Sequence, residues 1–134
     1  MKISLDGQVA IVTGAGRGLG RAHALALAER GAKVIVNDLA EGEGVSENAQ
    51  SVVDHIIKQG GEACANGADV SNFDQVQNMI SQAMDKWGRI DILVNNAGIL
   101  RDKTFLKMTP EDMRLVIDVH LMGSMYCAKA VWGI

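Results

Sequence analysis

The chain has 134 residues, 48% apolar and 22% charged, a balance that fits one globular domain with a core of its own. Its net charge of −3 argues against nucleic acid as a partner, and no apolar run reaches the roughly 18 residues that a membrane span needs. Cys64 and Cys127 have no paired spacing and Met1 to Asp6 carry no secretory apolar region, so reduced, buried thiols and a cytoplasmic location are expected.

Residues 8–13 are an almost unbroken apolar run and predict a first strand covered on both faces, as in a parallel sheet. Thr13-Gly-Ala-Gly-Arg-Gly-Leu-Gly20 follows, with glycine at 14, 16, 18 and 20. Residues 18–30 predict a helix, with Gly31 at its C-terminal end. In such a strand–turn–helix no Cβ keeps a ligand from the backbone, and the helix N-terminus offers N–H groups to an anion; a pyrophosphate is the natural guest. The register is not G-x-G-x-x-G: Gly14, Gly18 and Gly20 read G-x-x-x-G-x-G, and taken alone the loop is weak evidence, a plain turn being the lesser alternative.

Residues 33–37 predict the second strand, and Asp38 stands 18 residues after Gly20, where an acid would accept from a ribose hydroxyl. Glu41 to Asn48 reads as a polar loop. Ala49, Val52, Val53, Ile56 and Ile57 then follow helical spacing up to Gly60-Gly61. Residues 62–67 predict a weak third strand. Asp69 to Asn72 reads as a turn with a helix cap at Ser71 or Asn72. Val76, Met79, Ile80, Ala83, Met84 and Trp87 trace one face of a helix that Gly88 ends.

Residues 90–94 predict the fourth strand, followed at once by Asn95-Asn-Ala-Gly98. A polar loop from Arg101 to Lys107 leads to Thr109 as N-cap and Pro110 at the first helical position. The last helix carries Met113, Val116, Ile117, His120, Leu121 and Ser124 on one face and is expected to run uncapped to Ile134. Alternating strands and helices imply a Rossmann-type, doubly wound parallel α/β sheet in the order 3-2-1-4, one dinucleotide-binding domain over residues 1–134. A sheet ending there leaves an apolar edge strand, which points to truncation after the fourth strand and its helix.

Thr13 to Gly20, Asp69-Val70 and Asn95 to Gly98, in that order and spacing, resemble the N-terminal half of the short-chain dehydrogenase/reductase family. Residues 21–32, Val36-Asn-Asp-Leu39 and Asn95 to Asp102 are similar to its (3R)-hydroxyacyl-CoA dehydrogenase branch, found in peroxisomal multifunctional enzymes type 2 and bacterial relatives. The 3-oxoacyl-carrier-protein reductases are the rival resemblance.

The resemblance implies a cofactor site. Gly14, Gly16, Arg17, Gly18, Leu19 and Gly20, after Thr13, would wrap the pyrophosphate. Asp38 would hold the adenosine ribose, Asp69 and Val70 would border the adenine, and Asn95, Asn96, Ala97 and Gly98 would line the cofactor near the central strand. A carboxylate at Asp38 suits the ribose diol and repels a 2′-phosphate, so NAD is expected over NADP. Arg17 argues the other way, and Leu39 supplies no second base.

The family's proton relay uses a tyrosine four residues before a lysine, with a serine upstream. Here the one tyrosine, Tyr126, precedes Lys129 by three, so both read as ordinary helix residues and the catalytic trio is absent from the chain. His120 stands where many members have an asparagine; it is either a weak catalytic candidate or a packed, hydrogen-bonded histidine. His23 and His55 read as structural or surface residues, and no His/Cys cluster has metal spacing. The expected function is NAD-dependent hydride transfer between nicotinamide and a secondary alcohol or ketone, a (3R)-3-hydroxyacyl thioester of fatty acid metabolism, in a homodimer or homotetramer. The alternatives are a 3-oxoacyl-carrier-protein reductase-like enzyme and a truncated, non-catalytic nucleotide-binding module, since the chain alone is expected to be inactive.

Overall fold

Four short strands lie parallel and are joined by helical crossovers. The computed structural model describes residues 2–134. Strands β1 (Val9–Val12), β2 (Lys33–Asn37), β3 (Ala63–Asn66) and β4 (Ile92–Val94) pair in the order β3-β2-β1-β4. Helices α1 (Gly18–Glu29), α2 (Glu47–Lys58) and α3 (Phe73–Trp87) make the crossovers. After β4 come α4 (Pro110–Ile117), a π-helical turn (Asp118–Met122) and α5 (Gly123–Val131).

Because side chains alternate across a strand, β1 feeds two cores. Ala10 and Val12 join Val34 and Val36 of β2 under α1 and α2, packed on Ala24, Val52, Val53 and Ile56. Val9 and Ile11 join Ile35 on the other face, packed on Val76, Met79, Ile80 and Ala83 of α3 and on Cys127 of α5. Central strands covered on both faces need the continuous apolar runs that β1 and β2 carry. Burial pushes the Cys127 thiol up to about 11.

Three boundaries differ from the sequence reading by two residues or more, each for a local reason. Helix α2 starts inside the expected loop, because the Ser46 hydroxyl caps it by accepting the Ala49 N–H at 3.0 Å. Strand β4 starts at Ile92 rather than Ile90. One residue earlier the Asp91 carboxylate accepts the Val9 N–H at 2.8 Å, a donor that a strand carbonyl would otherwise take. The Arg89 guanidinium grips that carboxylate with two hydrogen bonds and holds it below the usual carboxylate range.

The last helix is not continuous and does not run to Ile134. A π turn interrupts it at Asp118–Met122, and its regular bonding ends at Val131 ahead of Gly133, a poor helix former. The final bonds tighten to i→i−3, from Trp132 to Lys129 and from Ile134 to Val131. No helix among the described residues is long and apolar enough to cross a membrane.

Candidate cofactor site

The carboxyl ends of β1, β2 and β4 meet at one edge of the sheet, where open parallel sheets take their ligands. The turn after β1 is held from both sides. From β2, the Asn37 carbonyl accepts the Ala15 N–H at 2.7 Å. From β4, the Asn96 side-chain amide donates to the Gly14 carbonyl at 3.1 Å. Gly14 and Gly18 adopt φ of +61° and +60°, the left-handed region that glycine enters without cost.

Thr13 is the pin of this arrangement. It is 1% exposed, and its hydroxyl accepts the backbone N–H groups of Asn96 and Ala97, each at 3.0 Å. It thereby joins the end of β1 to the Asn95–Gly98 loop. Its hydroxyl serves this junction rather than facing out toward a ligand.

The glycines are small because other groups occupy their side-chain space. A Cβ on Gly14 would lie 2.8 Å from the Ala97 Cα. One on Gly20 would collide with the Gly14 carbonyl and the Asn96 amide. One on Gly16 would collide with the Asp38 carboxylate and lie 2.9 Å from the Asn48 Cβ. Space beside Gly18 is open, with nothing within 4 Å. Arg17, at the N-cap of α1, makes no side-chain capping bond, and it is exposed together with Gly18 and Leu19. The loop thus packs tightly inward and presents an open rim outward, at a helix N-terminus whose first N–H groups have no side-chain cap.

Asp38 sits beside Gly16, so the glycine loop and the acid 18 residues beyond it share one corner. Its Oδ2 accepts the Ser46 hydroxyl at 2.9 Å. Asp69 lies at the next strand end, and its carboxylate accepts the Ser71 N–H and hydroxyl at 2.9 and 2.6 Å. Val70 is buried, with its side chain turned onto Gly123 of α5; what it can offer a ligand is backbone. Asn95 is exposed and its amide donates to the Ser124 carbonyl at 3.3 Å.

His120 lies in the π turn and covers Gly98, whose side-chain space its ring fills. Its Nε2 lies 3.0 Å from the Ile99 N–H and 2.8 Å from the Ile99 carbonyl, the tautomer deciding which bond forms. The Ser124 hydroxyl donates to the His120 carbonyl at 2.7 Å, so Asn95, Ser124 and His120 form one connected rim. Tyr126 stacks on Phe73 with ring centroids 5.3 Å apart, and Lys129 is exposed. Among the described residues no group of three His, Cys, Asp or Glu could hold a metal.

Sequence reasoning missed Ser46 and an amide network below the acid. The Asn37 amide donates to the Asn66 Oδ1 at 2.9 Å and the Ala68 carbonyl at 3.0 Å, and the Asn66 amide donates to the Gln82 Oε1 at 2.9 Å. The signals were present: a serine ahead of Ala49, Val52 and Val53 is a helix-start pattern, and an asparagine closing an apolar strand needs partners. A separate cleft of about 960 Å³ opens at the other end of the sheet, lined by Lys2, Asp6, Lys33, His55 and Glu62 among others. It holds none of the candidate site residues and lies away from the carboxyl ends of the strands, so its size does not make it the functional site.

A family model described as short chain dehydrogenase matches residues 8–133. The peroxisomal multifunctional enzyme type 2 of Drosophila melanogaster is 52% identical over 135 residues, covering 98% of this chain and 22% of that enzyme. A 3-oxoacyl-acyl-carrier-protein reductase of a Synechocystis species is 52% identical over 128 residues, covering 96% of this chain and 50% of the reductase. A solved short chain dehydrogenase from Mycobacterium avium superposes with a TM-score of 0.90 at 46% identity, over 96% of this chain and 46% of that one. The chain therefore spans half or less of the length of these relatives.

Proposed function

The chain belongs to the short chain dehydrogenase family, and from that premise we propose that it is the NAD-binding part of an oxidoreductase. The observation that carries the proposal is the corner where Gly16 meets Asp38. Residues that would cradle a pyrophosphate and one that would accept from a ribose lie side by side there.

The residues present fit the group. The backbone of residues 14–20 would hold the pyrophosphate, and the rim beside Gly18 is open to it. Asp38 would accept from the ribose, Asp69 and Val70 would border the base, and Asn95 to Gly98 would line the nicotinamide end. Thr13 and Asn96 act earlier, by locking the β1 turn to the β4 loop. His120 would close the rim over Gly98. When bound, the nicotinamide accepts or donates hydride at the carbon of a secondary alcohol or ketone.

We read the substrate as a (3R)-3-hydroxyacyl thioester, on the likeness to the multifunctional enzyme. The second reading is a 3-oxoacyl-acyl-carrier-protein reductase-like enzyme, which the equal identity to the cyanobacterial reductase favours. No tyrosine in the chain stands four residues before a lysine, so the proposal for these residues alone is cofactor binding without turnover. A cytoplasmic location stays part of the proposal. A homo-oligomer does too, supported by exposed Leu115 of α4, Leu121 of the π turn, Met125 of α5 and Trp132 just after it.

Titration with NAD and NADP tests the reading. A hydrogen bond to a charged group is worth about 1.5–3 kcal/mol, so NAD should bind about tenfold or more tightly than NADP. Asp38→Ala should bring the two affinities close together. Equal affinities in the wild type would refute the assignment of Asp38, and no binding of either would refute the dinucleotide site.

A further inference from the structure

We propose that Ser46 is a positioning residue for the Asp38 carboxylate, and that it thereby sets the preference for a dinucleotide without a 2′-phosphate. This rests on the cofactor reading above. The Ser46 hydroxyl has a defined polarity. Its lone pair accepts the Ala49 N–H at 3.0 Å, which caps α2, and its proton goes to the Asp38 Oδ2 at 2.9 Å. Gly16 presses on the same Oδ2, where any side chain would collide with it. One carboxylate oxygen is thus held between a loop backbone and a helix cap, and the other is left for a ligand.

The intervening loop keeps Ser46 in place. The Ala40 N–H donates to the Gly67 carbonyl at 3.3 Å, and the Gly44 carbonyl packs against the Cα of Gly67 so closely that no side chain fits there. The segment from Asp38 to Ser46 therefore folds back over the end of β3 and returns the serine to the acid. Glu41 and Glu43 are exposed on this segment, and no Lys or Arg lies between Asp38 and Lys58. A 2′-phosphate arriving at Asp38 meets a carboxylate that cannot swing aside, on a segment that supplies no cation of its own, and Arg17 of the glycine loop is the base that works against this preference. A ribose diol meets a fixed acceptor.

The test separates the cap from the aim. Glycine is almost as good an N-cap as serine, so Ser46→Gly keeps α2 while removing the donor to Asp38. Ser46→Thr keeps both bonds. Affinities for NAD and NADP are measured by titration of the purified chain, with thermal midpoints alongside. In Ser46→Gly the NAD-to-NADP affinity ratio should fall about five- to tenfold, within the net worth of a typical hydrogen bond, at a nearly unchanged midpoint. Ser46→Thr should stay within about twofold of wild type.

With Asp38→Asn already present, Ser46→Gly should change the ratio no further. A purely structural serine would lower both affinities together and do so in both backgrounds. An unchanged ratio in Ser46→Gly, with wild type still preferring NAD, overturns the role of Ser46 and leaves the cofactor reading standing. Failure of the wild type to bind NAD overturns both.

Discussion

Replacing Thr13 by valine keeps the shape of the side chain and removes only its oxygen. In the folded chain that oxygen accepts from the N–H groups of Asn96 and Ala97, each at 3.0 Å, inside a residue that is 1% exposed. Leaving a buried donor unpaired costs about 1–3 kcal/mol. Asn96 and Ala97 are half-buried, so the lower part of that range applies to each, and the pair should cost about 2–4 kcal/mol. Unfolding entropy scales with length, and for 134 residues it is about 0.28 kcal/mol per kelvin. Thr13→Val should therefore melt about 7–14 °C below wild type.

Thr13→Ser keeps the oxygen and loses a methyl group, at about 1 kcal/mol or about 4 °C. Thermal unfolding followed by circular dichroism compares the three proteins. NAD titration should show weaker binding in the valine variant, because the loop proposed to line the cofactor loses its anchor. If valine melts no lower than serine, the hydroxyl does not hold the β1–β4 junction and the role given to Thr13 is wrong.

Two further outcomes are expected. Asp91 owes its lowered pKa first to hydrogen bonding by Arg89, so its stabilising effect is complete above the ordinary carboxylate pKa and is lost as pH falls through the depressed value. In urea unfolding, the gap between wild type and Asp91→Asn should be flat from about pH 7 to pH 5 and close below about pH 4; a gap unchanged at pH 2 would contradict the clamp. Cys127 is fully buried with its thiol raised to about 11, so a thiol reagent at pH 8 should titrate at most one of the two cysteines in the native protein and both in guanidinium. Equal native reactivity of both would mean that α5 does not pack as described.

The order of elements and the pairing order of the strands could be read from the chain alone. Continuous apolar runs at Val9–Val12 and Val34–Val36 read as strands covered on both faces, and helical spacing between them implies parallel crossovers. A glycine turn opening a helix, with an acid 18 residues beyond it, marked the corner where Gly16 and Asp38 meet. Such features are local, because periodicity, turn chemistry and spacing along one crossover are written in consecutive residues.

What supports the corner could not be read that way. Thr13 and Asn96 are 83 residues apart, and a threonine after a strand does not announce which backbone groups it will receive. The π turn that lays His120 over Gly98 leaves no mark in a helical pattern that continues on both sides of it. Ser46 carried a helix-cap signature, yet its second bond, to Asp38, exists only because residues 40–44 fold back on Gly67. Local sequence determined which elements form and in what order they pair. The tertiary structure decided which polar groups face one another, because hydrogen bonds act over about 3 Å and are set by the packing of segments that the chain leaves far apart.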